Sequence, residues 1–348
     1  FGILNVRLTS QQLRIMAVDI SNEAAESAMR QFAEITGTDE ILAQTVLQDV
    51  NWSLDRALEV FYGGNVRNDE DGYIEVVTPP PAITQSQSGP AEDEASGDIR
   101  GFEISLLSWN IDGLDGSSLA TRMKAVYKIV SRISADFVFL QEVVERDIES
   151  LLKLKKFYNV HFSNRESLYF TAILVSNAFS VRNHEVVHFP NSGMDRTLQI
   201  LEGSLGPFQV FLLNTHLESM AEHSNKRREQ LELCFNRIAS ISNEHPDALI
   251  FFGGDLNLRD KEIESVPRGF ADAWLASGAP KNEEYTWDTR TNTNKQTFHG
   301  ARCRFDRLFY KAHPLNKVTF TLEGKQLIRT CLCYPSDHWA IHSVFSIA

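Results

Sequence analysis

Six short polar segments interrupt the apolar runs between residue 101 and the C-terminus, and each carries side chains that could do chemistry. They are Trp109-Asn110-Ile111-Asp112, Gln141-Glu142, Asn214-Thr215-His216-Leu217-Glu218-Ser219, Gly253-Gly254-Asp255-Leu256-Asn257, Asp306, and Ser336-Asp337-His338. The set is made of carboxylates, amides and imidazoles, with no Cys. Such oxygen-rich donors suit a hard cation, Mg²⁺ or Mn²⁺, rather than zinc. Each piece alone has a plainer reading. A Glu at a strand end is usually solvated, and Asp-x-Asn after Gly-Gly is usually turn chemistry. Asp306, between Arg304 and Arg307, also fits a structural ion pair. Their occurrence together, each at the end of an apolar run, is what points to a site.

Those apolar runs are the elements that must position the polar groups. They are Ile104–Trp109, Phe137–Leu140, Tyr169–Val175, Phe208–Leu213, Leu249–Phe252, Phe305–Tyr310 and Trp339–Ile347. Helical patterns at 118–133, 145–157 and 226–242 fall between them, which predicts an α/β domain over 101–348. Ligands gather at strand ends in such sheets, because the chain leaves the core there on a rigid base.

The first hundred residues read differently. Residues 22–64 predict a small three-helix domain, with Ala25, Met29, Phe32 and Ala33 on one face of the first helix. Leu42, Val46 and Leu47 mark the second helix, and Leu54, Ala57, Leu58 and Phe61 the third. Residues 65–100 hold three consecutive prolines, a Gln/Ser stretch and two acidic clusters, the composition of an acidic linker. Residues 1–21 have no clear period and are left as an N-terminal extension.

Charge follows the same division. The 348 residues carry a formal net charge of −12, which argues against coating nucleic acid. Residues 1–100 hold 17 acidic and 6 basic residues, with no Lys, whereas 101–348 hold 29 and 28. The repulsion for phosphate therefore belongs to the N-terminal part, which suits protein contacts better. No apolar run approaches the roughly 18 residues that span a bilayer, so no membrane association is expected. No basic segment followed by an apolar one opens the chain, so a secretory signal is not expected either. Four Cys do not make a disulfide scaffold, and Cys331 and Cys333 lack the second pair of a zinc site.

Ser-Trp-Asn (108–110), Leu-Gln-Glu (140–142), Asn-Thr-His-Leu (214–217), Gly-Asp-Leu-Asn (254–257), Arg-Phe-Asp-Arg (304–307) and Ser-Asp-His (336–338), in this order, resemble the endonuclease/exonuclease/phosphatase superfamily. The resemblance implies two sheets packed face to face with helices outside, and metal-dependent hydrolysis of phosphate esters. Trp-Asn-Ile-Asp-Gly-Leu (109–114), Thr-His-Leu-Glu-Ser (215–219), Gly-Gly-Asp-Leu-Asn-Leu-Arg-Asp (253–260), Thr-Trp-Asp-Thr (286–289) and Ser-Asp-His-Trp (336–339) are similar to the tyrosyl-DNA phosphodiesterase 2 branch. That branch cleaves the bond between a topoisomerase II tyrosine and a DNA 5′-phosphate, and it carries a small ubiquitin-associated-type domain where residues 22–64 lie here. The resemblance implies DNA with 5′-phosphotyrosyl ends, single-stranded at the end, as substrate. It also implies ubiquitin as a partner, and the nucleus as location, with a cytoplasmic pool also allowed.

Roles follow on the matching residues. Glu142 is expected as the main Mg²⁺ ligand (Mn²⁺ as substitute), with Asp112 and Asn110 in its cluster and Asp337 on the metal side or just behind it. Asp255 orients and deprotonates water, and Asn257 holds that water or a phosphate oxygen. His338 donates to the phosphate, Asp306 orients it and keeps it protonated, and His216 contacts a phosphate oxygen. Tyr169, Ser219, Arg259, Trp287 and Phe305 are candidate substrate contacts, with core packing the plainer reading of the last two. Lys226-Arg227-Arg228 could meet phosphates or simply open a solvated helix. Ser192–Arg196 is expected as a mobile loop near the site. An abasic-site endonuclease, a phosphatase, a deadenylase-like enzyme and a silent ubiquitin-binding adaptor are the competing readings.

Overall fold

Along the run from Ile104 to Asn110, nearly every residue is buried, so this is no strand with a solvated face. Ile104 and Leu106 pack in one apolar cluster, and Leu107 and Trp109 in another. Successive side chains of a strand point to opposite faces, so both faces of this one are covered. The computed structural model describes residues 22–36, 43, 47, 52–54, 57, 101–295 and 300–347.

In chain order the strands are β1 Glu103–Asn110, β2 Phe137–Val143, β3 Tyr158–Phe162, β4 Phe170–Ser176, β5 Ser180–His188, β6 Thr197–Leu205, β7 Phe208–His216, β8 Leu249–Asp255, β9 Phe270–Asp272, β10 Trp287–Asp288, β11 Arg302–Cys303, β12 Asp306–Lys311, β13 Lys317–Glu323 and β14 Ala340–Ser346. The helices used below are α1 Asn22–Thr36, α2 Leu119–Ile133 and α3 Ser224–Glu244. One six-stranded sheet runs β13-β14-β1-β2-β4-β3 and the other β5-β6-β7-β8-β12-β9. Their facing sides share one cluster that includes Ile104, Phe139, Leu212, Phe251, Leu308 and Phe345. α2 covers the outer side of the first sheet through Met123, Val126 and Val130. α3 covers the second through Leu231, Cys234, Ile238 and Ile241. The domain is thus the α/β domain that the sequence pattern predicts, in the two-sheet sandwich that the resemblance implies.

Each sheet has one parallel pair, β1–β2 and β7–β8. Parallel neighbours need a crossover, and α2 and α3 supply it. Parallel strands also end on the same edge, so Asn110 lies opposite Gln141 and His216 opposite Asp255. Along each inward face the residues change from apolar to polar toward that edge. β1 reads Leu106, Ser108, Asn110. β7 reads Leu212, Asn214, His216, and β8 reads Phe251, Gly253, Asp255. β12 runs the other way, so its polar residue, Asp306, comes first and pairs with Asp255.

Beneath that edge the sheets are tied by polar groups. Gln141 Nε2 donates to Asn214 Oδ1 at 2.8 Å, and Asn214 Nδ2 donates to the carbonyls of Leu140 and Ala172. Buried amides need such partners, because leaving one unpaired costs about 1–3 kcal/mol.

Several strands escape sequence reading. β5 is a mostly exposed strand at a sheet edge, and β13, also at an edge, alternates without a long apolar run. Residues 145–157 are predicted as one helix but form three short turns of helix, Glu145–Asp147, Ile148–Leu151 and Leu152–Lys156.

The N-terminal unit is described separately. α1 places Phe32 in a buried cluster with Ala43, Leu47 and Ala57, and Ala43, Leu47, Leu54 and Ala57 are helical. The proposed extension 1–21 and linker 65–100 lie outside the described residues.

Gly254 sits opposite Thr215 in the parallel ladder with φ +131, a conformation that side chains rarely adopt. An added Cβ would meet the Thr215 carbonyl oxygen at 1.9 Å. Gly254→Ala is therefore expected to cost roughly 3 kcal/mol or more. A denaturant midpoint equal to wild type would contradict this.

Candidate active site

Three of the polar segments share one local device. Asn110 Oδ1 accepts the Asp112 N–H, Asp255 Oδ1 accepts the Asn257 N–H, and Ser336 Oγ accepts the His338 N–H, each at 3.0 Å. A short polar side chain bonding the backbone two residues on turns the chain sharply. That is why Asn-x-Asp, Asp-x-Asn and Ser-x-His recur at strand boundaries here. Asp112 and Asn257 take left-handed backbone angles, φ 51 and φ 50, as does Glu142 at φ 55. A break in the β2–β4 register between Leu140 and Val143 re-aims Glu142. Ser336 Oγ also donates to the Asn110 carbonyl, which locks the last segment to the first.

Asp255 is the meeting point. Its Oδ2 accepts from Asn110 Nδ2 at 2.9 Å and lies 3.2 Å from His216 Nε2 and 3.8 Å from His338 Nε2. Burial works against its charge, but His216, His338 and Asn110 hold it well below the usual carboxylate range.

The two histidines are driven apart. Burial and Arg196 pull His216 down to about 4. Arg196 Nη1 donates to His216 Nδ1 at 2.7 Å, so the neutral ring carries its proton on Nε2, facing Asp255. Burial would also lower His338, but Asp306, Asp337 and Asp255 raise it well above the ordinary value. Its Nδ1 bonds Asp306 Oδ2 at 2.8 Å. The Asp306 N–H in turn donates to Thr286 Oγ1.

Beside this pair lies a patch crowded with carboxylates. Glu142 Oε1 accepts from Asn110 Nδ2 at 3.1 Å. Burial, with Asp337 and Asp112 nearby, pushes Glu142 up to about 7. Burial and Asp337 push Asp112 up to about 6, against the pull of Arg122 and Lys295. Asp112 Oδ2 is buried without a hydrogen bond, with Lys295 Nζ 3.3 Å and Arg122 Nη1 3.6 Å away as ion pairs. Crowded hard-oxygen groups that resist ionising together fit a divalent cation. Asp255, Asp306 and His338 also bring possible ligand atoms within 4.8 Å of one another. Within that trio His338 Nδ1 already holds Asp306 Oδ2, and a protonated imidazole has no lone pair to give, so the Glu142 patch is the better metal site.

The candidate substrate contacts flank the centre on two sides. Arg196 lies 4.9 Å over the Tyr169 ring, which is 6.2 Å from the His216 ring. These three residues help line a small surface pocket. On the other side Phe305 is 5.5 Å from Trp287 and 6.4 Å from His338, with the Arg259 guanidinium 5.6 Å over it. Trp287 and Phe305 are only partly buried, and Trp287 Nε1 donates to Asp337 Oδ2. Ser219 Oγ points to Met194 Sδ, and Asn257 Nδ2 donates to the Leu217 carbonyl.

Two expectations change. Arg227 of the basic run is fully buried and meets no solvent. It bonds both oxygens of Glu262 and the carbonyls of Glu218 and Met220, so it pins the loop after β7. The Ser192–Arg196 segment is held by Glu218 rather than loose. Sequence reading gives no role to Arg196 or Thr286, which hold His216 and Asp306, and misses Arg122 altogether. Arg122, on α2 and 2 % exposed, donates to the carbonyls of Asp112, Asp115, Ser117 and Pro335. The one signal for it is an Arg among the apolar positions of a helix.

These features define a phosphate-ester hydrolase built on a two-sheet sandwich. A family model described as the endonuclease/exonuclease/phosphatase family matches residues 107–338, and the chain belongs to that family. A UBA-like domain model matches residues 24–68. A 5′-tyrosyl-DNA phosphodiesterase of Caenorhabditis briggsae is 53% identical over 330 residues, covering 94% of this chain and 93% of the relative. A tyrosyl-DNA phosphodiesterase 2 of Rattus norvegicus is 34% identical over 332 residues, covering 89% and 87%. The crystal structure of the Danio rerio tyrosyl-DNA phosphodiesterase 2 complexed with single-strand DNA product matches with a TM-score of 0.65 at 34% identity, covering 70% of this chain and 99% of that one. Within the family the chain is thus a member of the tyrosyl-DNA phosphodiesterase 2 group.

The Arg227–Glu262 pair sets an acid limit on the loop it pins. Burial opposes the Glu262 charge, but Arg227, Ser224 and the Arg259 N–H lower it to about 2 from an ordinary 4.5. A depressed carboxylate contributes stability that is fully present above its ordinary value and is lost as pH falls toward the folded value. Stability is therefore expected to fall between pH ~4.5 and ~2, with a smaller contribution from this position in Glu262→Gln. Thermal midpoints against pH, identical in slope for the two proteins, would refute it.

Proposed function

We propose that the chain is a Mg²⁺-dependent 5′-tyrosyl-DNA phosphodiesterase, which hydrolyses the bond between a topoisomerase II tyrosine and a DNA 5′-phosphate. The observation that carries this reading is the Asp255 carboxylate between a neutral His216 and a protonated His338, beside the crowded carboxylates of Glu142, Asp112 and Asp337. Membership in the tyrosyl-DNA phosphodiesterase 2 group supports the substrate.

The chemistry follows from those groups. Asp255 orients a water and takes its proton while the water oxygen bonds to phosphorus. Asn257 holds that water or a neighbouring phosphate oxygen. The bond from phosphorus to the tyrosine oxygen breaks, and the phenolate leaves with the electron pair. A phenol ionises near pH ~10, so it needs less help than a sugar hydroxyl would. His338 gives its Nε2 proton or a strong hydrogen bond to a phosphate oxygen as charge builds, because Asp306 already holds Nδ1. His216 Nε2–H and Asn110 stand beside the same oxygens. Glu142, Asp112 and Asp337 would hold the Mg²⁺, or Mn²⁺ in its place, which when bound supplies positive charge to the phosphate and the departing oxygen. Tyr169, Trp287 and Phe305 offer faces for unpaired bases, and Arg259 and Ser219 offer donors for the backbone. The product end is a 5′-phosphate, ready for repair of the break.

A UBA-like module ahead of the catalytic domain supports ubiquitin binding. A chromosomal substrate also favours a nuclear location, which imaging of a tagged chain would test.

Three measurements check this. In a single-turnover assay on a 5′-tyrosyl oligonucleotide, tyrosine release is expected with Mg²⁺ and not with EDTA. An abasic oligonucleotide cleaved faster would favour another nuclease of the family. Asp255→Asn and His338→Ala are each expected to lower the rate at least ~10³-fold with circular dichroism unchanged. Titration of the labelled full chain with ubiquitin is expected to shift resonances from residues 24–68 only, and unchanged spectra would remove that partner.

A further inference from the structure

Glu218 is a carboxylate with no exposed surface, and the proposed hydrolysis does not use it. Its Oε2 accepts from Ser192 Oγ at 2.8 Å and from Gln230 Nε2 at 3.3 Å. Its Oε1 accepts the Gly193 N–H at 2.9 Å. The nearest cation, Lys226 Nζ, is 3.7 Å away on a side chain that is 41 % exposed. Burial opposes the charge, while the hydrogen bonds from Gly193, Ser192 and Gln230 keep the group ionised below its ordinary value.

What those bonds hold leads back to the centre. Ser192 Oγ accepts from the N–H of Met194 at 3.1 Å and of Arg196 at 3.0 Å. Both acceptor positions of the hydroxyl are then taken, so its one proton must go to an acceptor. Glu218 supplies it. The turn so formed delivers Arg196, 5 % exposed, to His216 Nδ1 at 2.7 Å. A guanidinium only donates, so Nδ1 must accept and the proton must sit on Nε2, 3.2 Å from Asp255.

We infer that Glu218 is a positioning residue which, through Ser192, locks the Ser192–Arg196 turn onto His216 and so sets the imidazole nitrogen that donates toward Asp255. Only a carboxylate fits the position. The amide of Gln has the same shape but one donor end. Facing Ser192, its NH₂ meets a hydroxyl whose acceptor positions are full. Facing Gly193, it meets an N–H. Either way one donor–donor contact replaces a hydrogen bond, and the cost of an unmet buried group falls on the turn.

The inference rests on the proposed role of His216, and the test separates the two. The full chain labelled with ¹⁵N-histidine is compared with Glu218→Gln and Ser192→Ala, with His216 signals assigned from their loss in His216→Gln. In the wild type His216 is expected as one neutral tautomer with its proton on Nε2. In both variants that single tautomer is expected to give way to a mixture or to the protonated ring. Turnover of the 5′-tyrosyl oligonucleotide is expected to fall about tenfold in kcat with little change in KM, the usual scale for a group behind the reacting ones. Thermal midpoints show that the variants are folded. Ser192→Ala removes one hydroxyl on a partly buried turn and decides the matter if Glu218→Gln does not fold. Folded variants with wild-type His216 signals would overturn the inference. A wild type that releases no tyrosine would sink the functional reading instead, while the nitrogen signals still judge Glu218.

Discussion

A carboxylate that is 1 % exposed, Asp255, stays ionised between two imidazoles and an amide, and the architecture around it follows from that requirement. A buried charge is tolerated only where partners surround it. Here the partners come from three strand ends and from both sheets. Asn110 closes β1, His216 closes β7, and His338, held by Asp306 of β12, lies just ahead of β14. No single sheet could supply them all, so the charge is met only when the two sheets are face to face. The same packing that buries Ile104, Leu212 and Phe251 thus assembles the polar end.

Away from the strands, the loops of the site are held by buried charge rather than by apolar packing. Arg122 gathers the carbonyls of the segment after β1, Arg227 those of the segment after β7, and Glu218 the turn that carries Arg196. The reason is physical. A strand that ends leaves its backbone groups without ladder partners, and buried ones must find others. A guanidinium has five donors for carbonyls, and a carboxylate has acceptors for N–H groups. The opposed protonation of His216 and His338 is a consequence of the same arrangement, since one faces a cation and the other faces carboxylates.

Much of this was legible beforehand. Asn110, Glu142, Asp255, Asp306 and His338 were conspicuous because polar residues ended apolar runs, and the structure brings all five to one place. Asn257 reads as a turn residue, which it also is, and Asp112 takes the same left-handed conformation. Less legible were groups whose side chains travel far from their sequence neighbours. Arg227 reads as part of a basic helix start, yet the turn of α3 directs it inward. Arg196 sits in a segment that reads as loose, because nothing in Ser-Gly-Met-Asp-Arg announces a buried glutamate 25 residues on. β5 and β13 were hidden by their position at sheet edges, where one side meets solvent and polar residues suffice.

The sequence by itself determined the layered α/β class, the separate acidic N-terminal part and the polar residues at the strand ends. It could do so because burial on two faces demands continuous apolar runs, and the places where those runs stop are local. Only the tertiary structure decided which nitrogen of His216 carries the proton, which histidine is charged, and which arginine holds a loop. Those properties depend on partners tens to hundreds of residues away, and their distances exist only once the two sheets have closed on each other.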